Sequence, residues 1–370
     1  MKALLWQRLI TIGCFLGLGT AWSQEWQIER EEYPVGHRVS ALATGDLNGD
    51  GYTDVVVASQ RDSSVRVYYN VVGGSLKEGA RFQVSGTPSG LVVEDFNRDG
   101  RVDLAVSVYD DHYVSVYLNQ GRQRFSRPTH YATGNWPIAL ASADFDGNGL
   151  PDLVVGNSLN DNVSVLYGRE DGRFGLMSIY QAGWQPVALS CYDVDGDGNV
   201  DVLTANQEDS TLTILKNTGS GAFRWPQTHD LGFSPNLVLS SDFTGDGLAD
   251  VVVATLHEPA LFVYRNYDGT EFEEVEEVAV RSAPLTVTAL DVNQDGLADL
   301  VSTHAARLSL SFLVSAGPSG FENSVEFQTP GLATTLAVGD LDLNGRSELV
   351  VSNDLTKSFA VLRWERSGTP

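Results

Sequence analysis

The chain has 370 residues, 42% of them apolar, with 24 basic against 48 acidic side chains and a formal charge of −24. An acidic balance of that size excludes a basic nucleic-acid surface and argues against an anionic membrane as partner. Two cysteines are too few for a disulfide framework.

At the N-terminus Met1, Lys2 and Arg8 supply positive charge, and Leu9 to Gly19 is an unbroken apolar run. Ala21-Trp22-Ser23 then offers small residues at the two positions that a signal peptidase reads. Residues 1–23 are therefore expected to be a secretory signal peptide cleaved before Gln24, the apolar run being too short to span a bilayer. The mature chain, 24–370, is expected to be a single domain that is secreted, periplasmic or at the cell surface. Cleavage removes Cys14 and leaves Cys191, set in the apolar stretch Val187 to Cys191 with no histidine near it. That context suits a buried, inert thiol. Without sulfur links, an exported chain must be held by its core or by another cross-link. No later stretch is apolar enough to cross a membrane.

A repeat governs the rest. Short acidic loops begin at Asp46, Asp95, Asp144, Asp193, Asp242, Asp291 and Asp340, each 49 residues after the last. Seven residues before the loop stands Pro88, Pro137, Pro186, Pro235 or Pro284, with Val39 and Ala333 in the outer copies. Thirteen before it stands Tyr33, Phe82, Tyr131, Tyr180, His229, Val278 or Phe327, and nineteen before it Phe125, Phe174, Phe223, Phe272 or Phe321. Copy three reads as four strands: Ile138 to Ala143, Leu153 to Gly156, Asn162 to Tyr167, and Phe174 to Tyr180. No segment has helical periodicity. The predicted fold is all-β, a seven-bladed propeller of four-stranded blades. Its last copy lacks an outer strand, which Trp26 to Tyr33 supplies from the other end, closing the ring and removing an open edge.

Twenty-two of the 48 acidic residues lie in the seven loops. Such density repels itself unless a cation is present. Oxygen-bearing side chains fill positions one, three, five and nine, and glycine fills position six every time. Copy one offers Asp46, Asn48, Asp50 and Asp54; copy two Asp95, Asn97, Asp99 and Asp103; copy three Asp144, Asp146, Asn148 and Asp152. Copy four offers Asp193, Asp195, Asp197 and Asp201; copy five Asp242, Thr244, Asp246 and Asp250. Copy six offers Asp291, Asn293, Asp295 and Asp299; copy seven Asp340, Asp342, Asn344 and Glu348. Position seven can add a backbone carbonyl, from Tyr52, Arg101, Leu150, Asn199, Leu248, Leu297 or Arg346. Six to eight oxygens in flexible geometry is what calcium requires. Up to seven structural calcium ions are expected, and magnesium fits less well because it wants strict octahedral, water-rich sites. An EF-hand is excluded, since position twelve holds Val57, Val106, Val155, Thr204, Val253, Ser302 and Val351 instead of glutamate. A metal-free Asx-Gly turn would need only one or two of these residues. Four carboxylates make loop four the expected tightest site, Thr244 weakens loop five, and loop seven must absorb the extra methylene of Glu348.

This pattern resembles the FG-GAP/VCBS repeat family of integrin α heads, fungal propeller lectins and many bacterial secreted proteins. The likeness covers about residues 25–366 and rests on DxDxDGxxD between the first two strands of a blade, here Asp46, Asn48, Asp50 and Asp54 and their equivalents. Thr244 and Glu348 depart from it. The resemblance implies structural calcium and a ligand on the opposite face.

Among function classes, a non-catalytic module that binds a protein or glycan is favoured. A polysaccharide-active, lyase-like enzyme is the alternative, since some lyases are built on calcium propellers. Catalytic motifs are missing from the sequence: there is no HExxH, GxSxG, Walker loop or dinucleotide fingerprint. On the face away from the loops, Tyr109 and His112 of copy two can meet Trp136, and Asn160 of copy three can meet Trp184. Aromatic planes beside amides and acids suit sugar rings. The competing reading makes both tryptophans wedges between blades.

Overall fold

The computed structural model describes residues 26–71, 74–266, 272–322 and 325–366. The expected signal segment, residues 1–23, lies outside them, as does the Trp26 side chain. The described residues form seven four-stranded antiparallel sheets. In blade three the strands are Pro137–Ala143, Asp152–Asn157, Asn162–Gly168 and Phe174–Gln181, close to the bounds read from the repeat. Among the described residues there is no α-helix, only a 3-10 turn at Gly317–Ser319.

Burial explains the order within a blade. The second strand, Asp152–Asn157, is buried along its whole length, because neighbouring blades cover both of its faces. A run such as Leu-Val-Val there needs no polar alternation. The outer strand Phe174–Gln181 has one free edge and leaves Leu176 and Ile179 exposed. The core is thus shared between blades. Val154, Val163 and Val165 of blade three pack with Val202 and Leu215 of blade four around Phe145.

The two aromatic phases meet across these joints. Phe82 packs on Phe125 at 5.0 Å, Tyr131 on Phe174 at 5.3 Å, and Tyr180 on Phe223 at 4.9 Å. Each pair joins the outer strand of one blade to the next blade's outer hairpin. His229 and Phe272 stand 6.4 Å apart in the same way.

Blade seven is built from both ends of the chain, in the order Leu336–Gly339, Glu348–Asn353, Ser358–Arg366 and Trp26–Pro34. The N-terminal strand pairs in full register, with Tyr33 opposite Phe359 and Trp26 opposite Arg366. The inner strands close the ring as well, since the Thr44 hydroxyl donates to the Val338 carbonyl at 2.6 Å.

Candidate metal centres and the opposite face

Each acidic loop joins the first and second strands of its blade, so all seven emerge on one face. Position two anchors the loop by burying Leu47, Phe96, Phe145, Val194, Phe243, Val292 or Leu341. The first carboxylate then organises the turn. Asp46 Oδ2 accepts the Gly51 N–H at 2.8 Å, and the same bond recurs from Asp95 to Gly100 and from Asp340 to Gly345. That geometry needs positive φ at position six, 88° at Gly51 and 90° at Gly247, which glycine alone adopts without strain. Position-three oxygens accept the position-five N–H, as from Asn48 to Asp50 at 2.8 Å. Position-five oxygens accept the position-seven N–H, as from Asp50 to Tyr52 at 3.0 Å.

Position nine has a different place. Asp54, Asp103, Asp152, Asp201, Asp250 and Asp299 are fully buried. Each uses one oxygen for the position-two N–H and the other for an N–H at the end of the third strand. For Asp201 these are Val194 at 3.0 Å and Asn217 at 2.7 Å. Desolvation pushes these acids up, Asp54 and Asp103 to about 7 and Asp152, Asp201, Asp250 and Asp299 to about 6. The backbone donors pull them down and the neighbouring loop acids push them further up. Glu348 accepts from Leu341 at 2.6 Å and is likewise raised to about 7 by burial.

Among the described residues, three acidic side chains bring oxygens within 4.8 Å of one another in three loops. They are Asp144 with Asp146 and Asp152, Asp193 with Asp195 and Asp197, and Asp340 with Asp342 and Glu348. The longer Glu348 therefore reaches its partners. Asp144 Oδ1 and Asp195 Oδ1 are buried without a hydrogen-bond partner. Buried oxygens of that kind are costly unless another group meets them. A donor set made only of oxygens, with two of them orphaned, fits a hard divalent cation of the calcium class.

Two features at these loops escaped the sequence reading. Position four also takes positive φ, with glycine in four copies but Arg98, Gln294 and Leu343 at 55°, 62° and 61° in the others. At the end of the third strand, Asn119 Nδ2 donates to Leu47 O at 2.7 Å, Asn217 to Phe145 O at 2.8 Å, and Asn266 to Val194 O at 2.7 Å. Asn70 makes the same bond to Leu341 across the ring closure. Each asparagine ties the preceding blade's acidic loop to its own blade. Four asparagines at a constant phase were the available signal.

On the opposite face, the loops between second and third strands meet the connections entering the next blade. The Tyr109 and Trp136 rings stack at 5.4 Å and 20°. His112 Nδ1 accepts the Trp136 N–H at 3.2 Å. Both His112 and Trp136 have positive φ, 58° and 55°, so this corner is a held conformation. Asn160 turns to the Asn135 amide, and it is Asp161 that reaches the segment of Trp184, accepting the Gln185 N–H at 2.8 Å. The Trp184 amide itself bonds Asp209 at 2.8 Å. Trp136 is 37% and Trp184 60% exposed, so Trp184 is no wedge between blades. Cys191 lies on an inner strand, Pro186–Tyr192, and desolvation pushes its thiol up to about 12. That thiol is no nucleophile near neutral pH.

Among the described residues no helix is long and apolar enough to cross a membrane. Solved structures with the same architecture include BBS1N, determined in complex with ARL6DN, at a TM-score of 0.68 and 12% identity over 91% of this chain and 96% of that one. A streptogramin B lyase matches at 0.64 and 14% identity, over 94% of this chain and 100% of that one. An Agrocybe aegerita lectin that recognises non-reducing terminal N-acetylglucosamine matches at 0.59 and 19% identity, over 80% and 81%. At such identities the likeness shows the fold alone. No curated protein sequence matches the chain. The model of the FG-GAP-like repeat matches residues 46–106, 95–155, 144–204, 242–302 and 291–351, and with its repeating loops and seven blades this chain belongs to the FG-GAP-like repeat family.

Proposed function

We propose that the chain is an exported, calcium-stabilised binding module that takes a glycan on the face opposite its acidic loops. The observation that carries this reading is the Tyr109–Trp136 stack at 5.4 Å at the joint of blades two and three, with Trp184, at the next joint, 60% exposed. Exposed aromatic planes in a corner held by His112, Asn160 and Asp161 give a sugar ring a stacking surface with polar groups at its edge. Calcium would be held by positions one, three, five and nine of the loops and the position-seven carbonyl. It would supply the positive charge that these acids lack, and it would take the place of a disulfide framework in an exported chain. The loops act by presenting oxygens already turned inward, while the position-two side chains hold each loop on its blade and the Asn119-type bonds tie four of them to the next blade. The lectin among the similar structures recognises a sugar, which supports the glycan class.

A glycan-binding screen in calcium buffer tests the reading. A hit should bind saturably without turnover and should lose about tenfold or more in affinity in Trp184→Ala, the scale of one lost stacking contact. Turnover of a polysaccharide hit would instead support a lyase-like enzyme. Binding unchanged in both Trp184→Ala and Trp136→Ala would place the ligand elsewhere.

A further inference from the structure

Loop four carries more carboxylates than any other, yet it does not stand alone. A residue at the C-terminal end of the third strand recurs at the same phase every 49 positions and lies beside position three of its own loop. In blade three Tyr167 and Asp146 both crowd Gly221, and in blade seven Arg363 and Asp342 both crowd Gly74. In blade four this residue is Lys216. Its ammonium stands 3.5 Å from Asp195 Oδ2, with the two side chains only 11% and 14% exposed. The basic residues at the same phase in blades five and seven form their ion pairs with outer-strand acids and not with position three, although Arg363 stays near enough to loop seven to pull Glu348 down. Arg265 pairs with Glu276 at 2.7 Å and Arg363 with Glu31 at 3.3 Å.

We infer that Lys216 is an internal counter-ion that holds loop four in shape without metal and lowers its calcium affinity below that of loop three. The inference rests on the calcium reading above. Asp195 is the position-three ligand of its loop, and one of its oxygens faces Lys216 while the other is buried with no hydrogen-bond partner. A carboxylate cannot give its full charge to a lysine and to a calcium ion at once, and a shielded ammonium repels an arriving dication. In loop three the equivalent residue is Tyr167, whose hydroxyl donates to the Gly221 carbonyl and brings no charge. Loop four then needs calcium to fold less than loop three does, although its acid count alone ranks it first.

The test uses the full chain with Lys216→Met, and Lys216→Gln as a second variant should the first fold poorly. In chelator the variant should melt below wild type, because four acids lose their counter-ion. In a calorimetric calcium titration one site should tighten by about tenfold, the effect of removing one shielded charge. Adding Asp197→Asn to Lys216→Met should remove the tightened step and so assign it to loop four. A calcium isotherm unchanged by Lys216→Met, with wild type binding calcium, would overturn the inference and leave the calcium reading standing. Absence of calcium binding in both proteins would overturn the two together and place the fault in the calcium reading.

Discussion

The Tyr33 hydroxyl accepts the Leu76 N–H at 3.0 Å, joining the N-terminal strand of blade seven to the outer hairpin of blade one. Tyr131 makes the same bond to Phe174 at 3.2 Å between blades two and three. The closing joint therefore reproduces an internal joint. Tyr33 is 1% exposed and stacks on Phe359 at 5.2 Å, so the same residue fills the core and closes the ring.

Tyr33→Ala should cost about 3–5 kcal/mol, as for other buried aromatic truncations, and Tyr33→Phe about 1 kcal/mol for the lost hydrogen bond to Leu76. Urea denaturation measures both. Deletion of Trp26 to Tyr33 should leave an open edge and cause aggregation. Equal midpoints for wild type and Tyr33→Ala would mean that the ring closes without this strand.

Removal of calcium should lower the melting temperature, and its return should restore it. A ligand that binds only the native state adds RT ln(1 + [Ca]/Kd) per site, about 2.7 kcal/mol at a hundredfold excess over Kd. Asp144→Ala should reduce the calcium-dependent shift more than Thr244→Ala, because it removes a charged ligand from a loop whose carboxylates converge. Calorimetric melting curves that coincide with and without chelator, after verified metal removal, would end the structural-calcium reading.

Acid should stabilise the metal-free protein. Burial holds Asp54 and Asp103 at about 7 and Asp152, Asp201, Asp250 and Asp299 at about 6, against about 4 in an unfolded chain. The folded state therefore keeps protons that the unfolded state releases, and stability falls as pH rises from about 4 through 7. Calcium should reverse this slope, since it favours the ionised acids. Melting temperatures at pH 5 and pH 8, with chelator and with calcium, check the sign, and a chelated protein more stable at pH 8 would contradict it.

Asn119→Ala should cost about 1–3 kcal/mol, because it strips the buried carbonyl of Leu47 and the partly buried one of Val102 of their donor. Asn119→Asp should do no better, since it replaces that donor with an acceptor. Urea midpoints for the two variants decide this, and a neutral Asn119→Ala would show that water takes over the bond.

What could be read from the chain alone was whatever each blade demands of its own backbone. Gly51 and its six equivalents mark a φ that other residues resist, Pro137 marks the start of an inner strand, and the acids mark inward-facing positions. Such demands repeat with every blade, so the 49-residue period carried them into view and the seven-bladed ring followed. The tertiary structure alone decided pairings between segments distant in sequence: Asn119 with Leu47, Asn160 with Asn135 instead of Trp184, Lys216 with Asp195. A side chain's partner across a joint is set by how two blades pack, and packing leaves no mark at a single position. For the same reason the acids counted in loop four told nothing of the lysine folded against them.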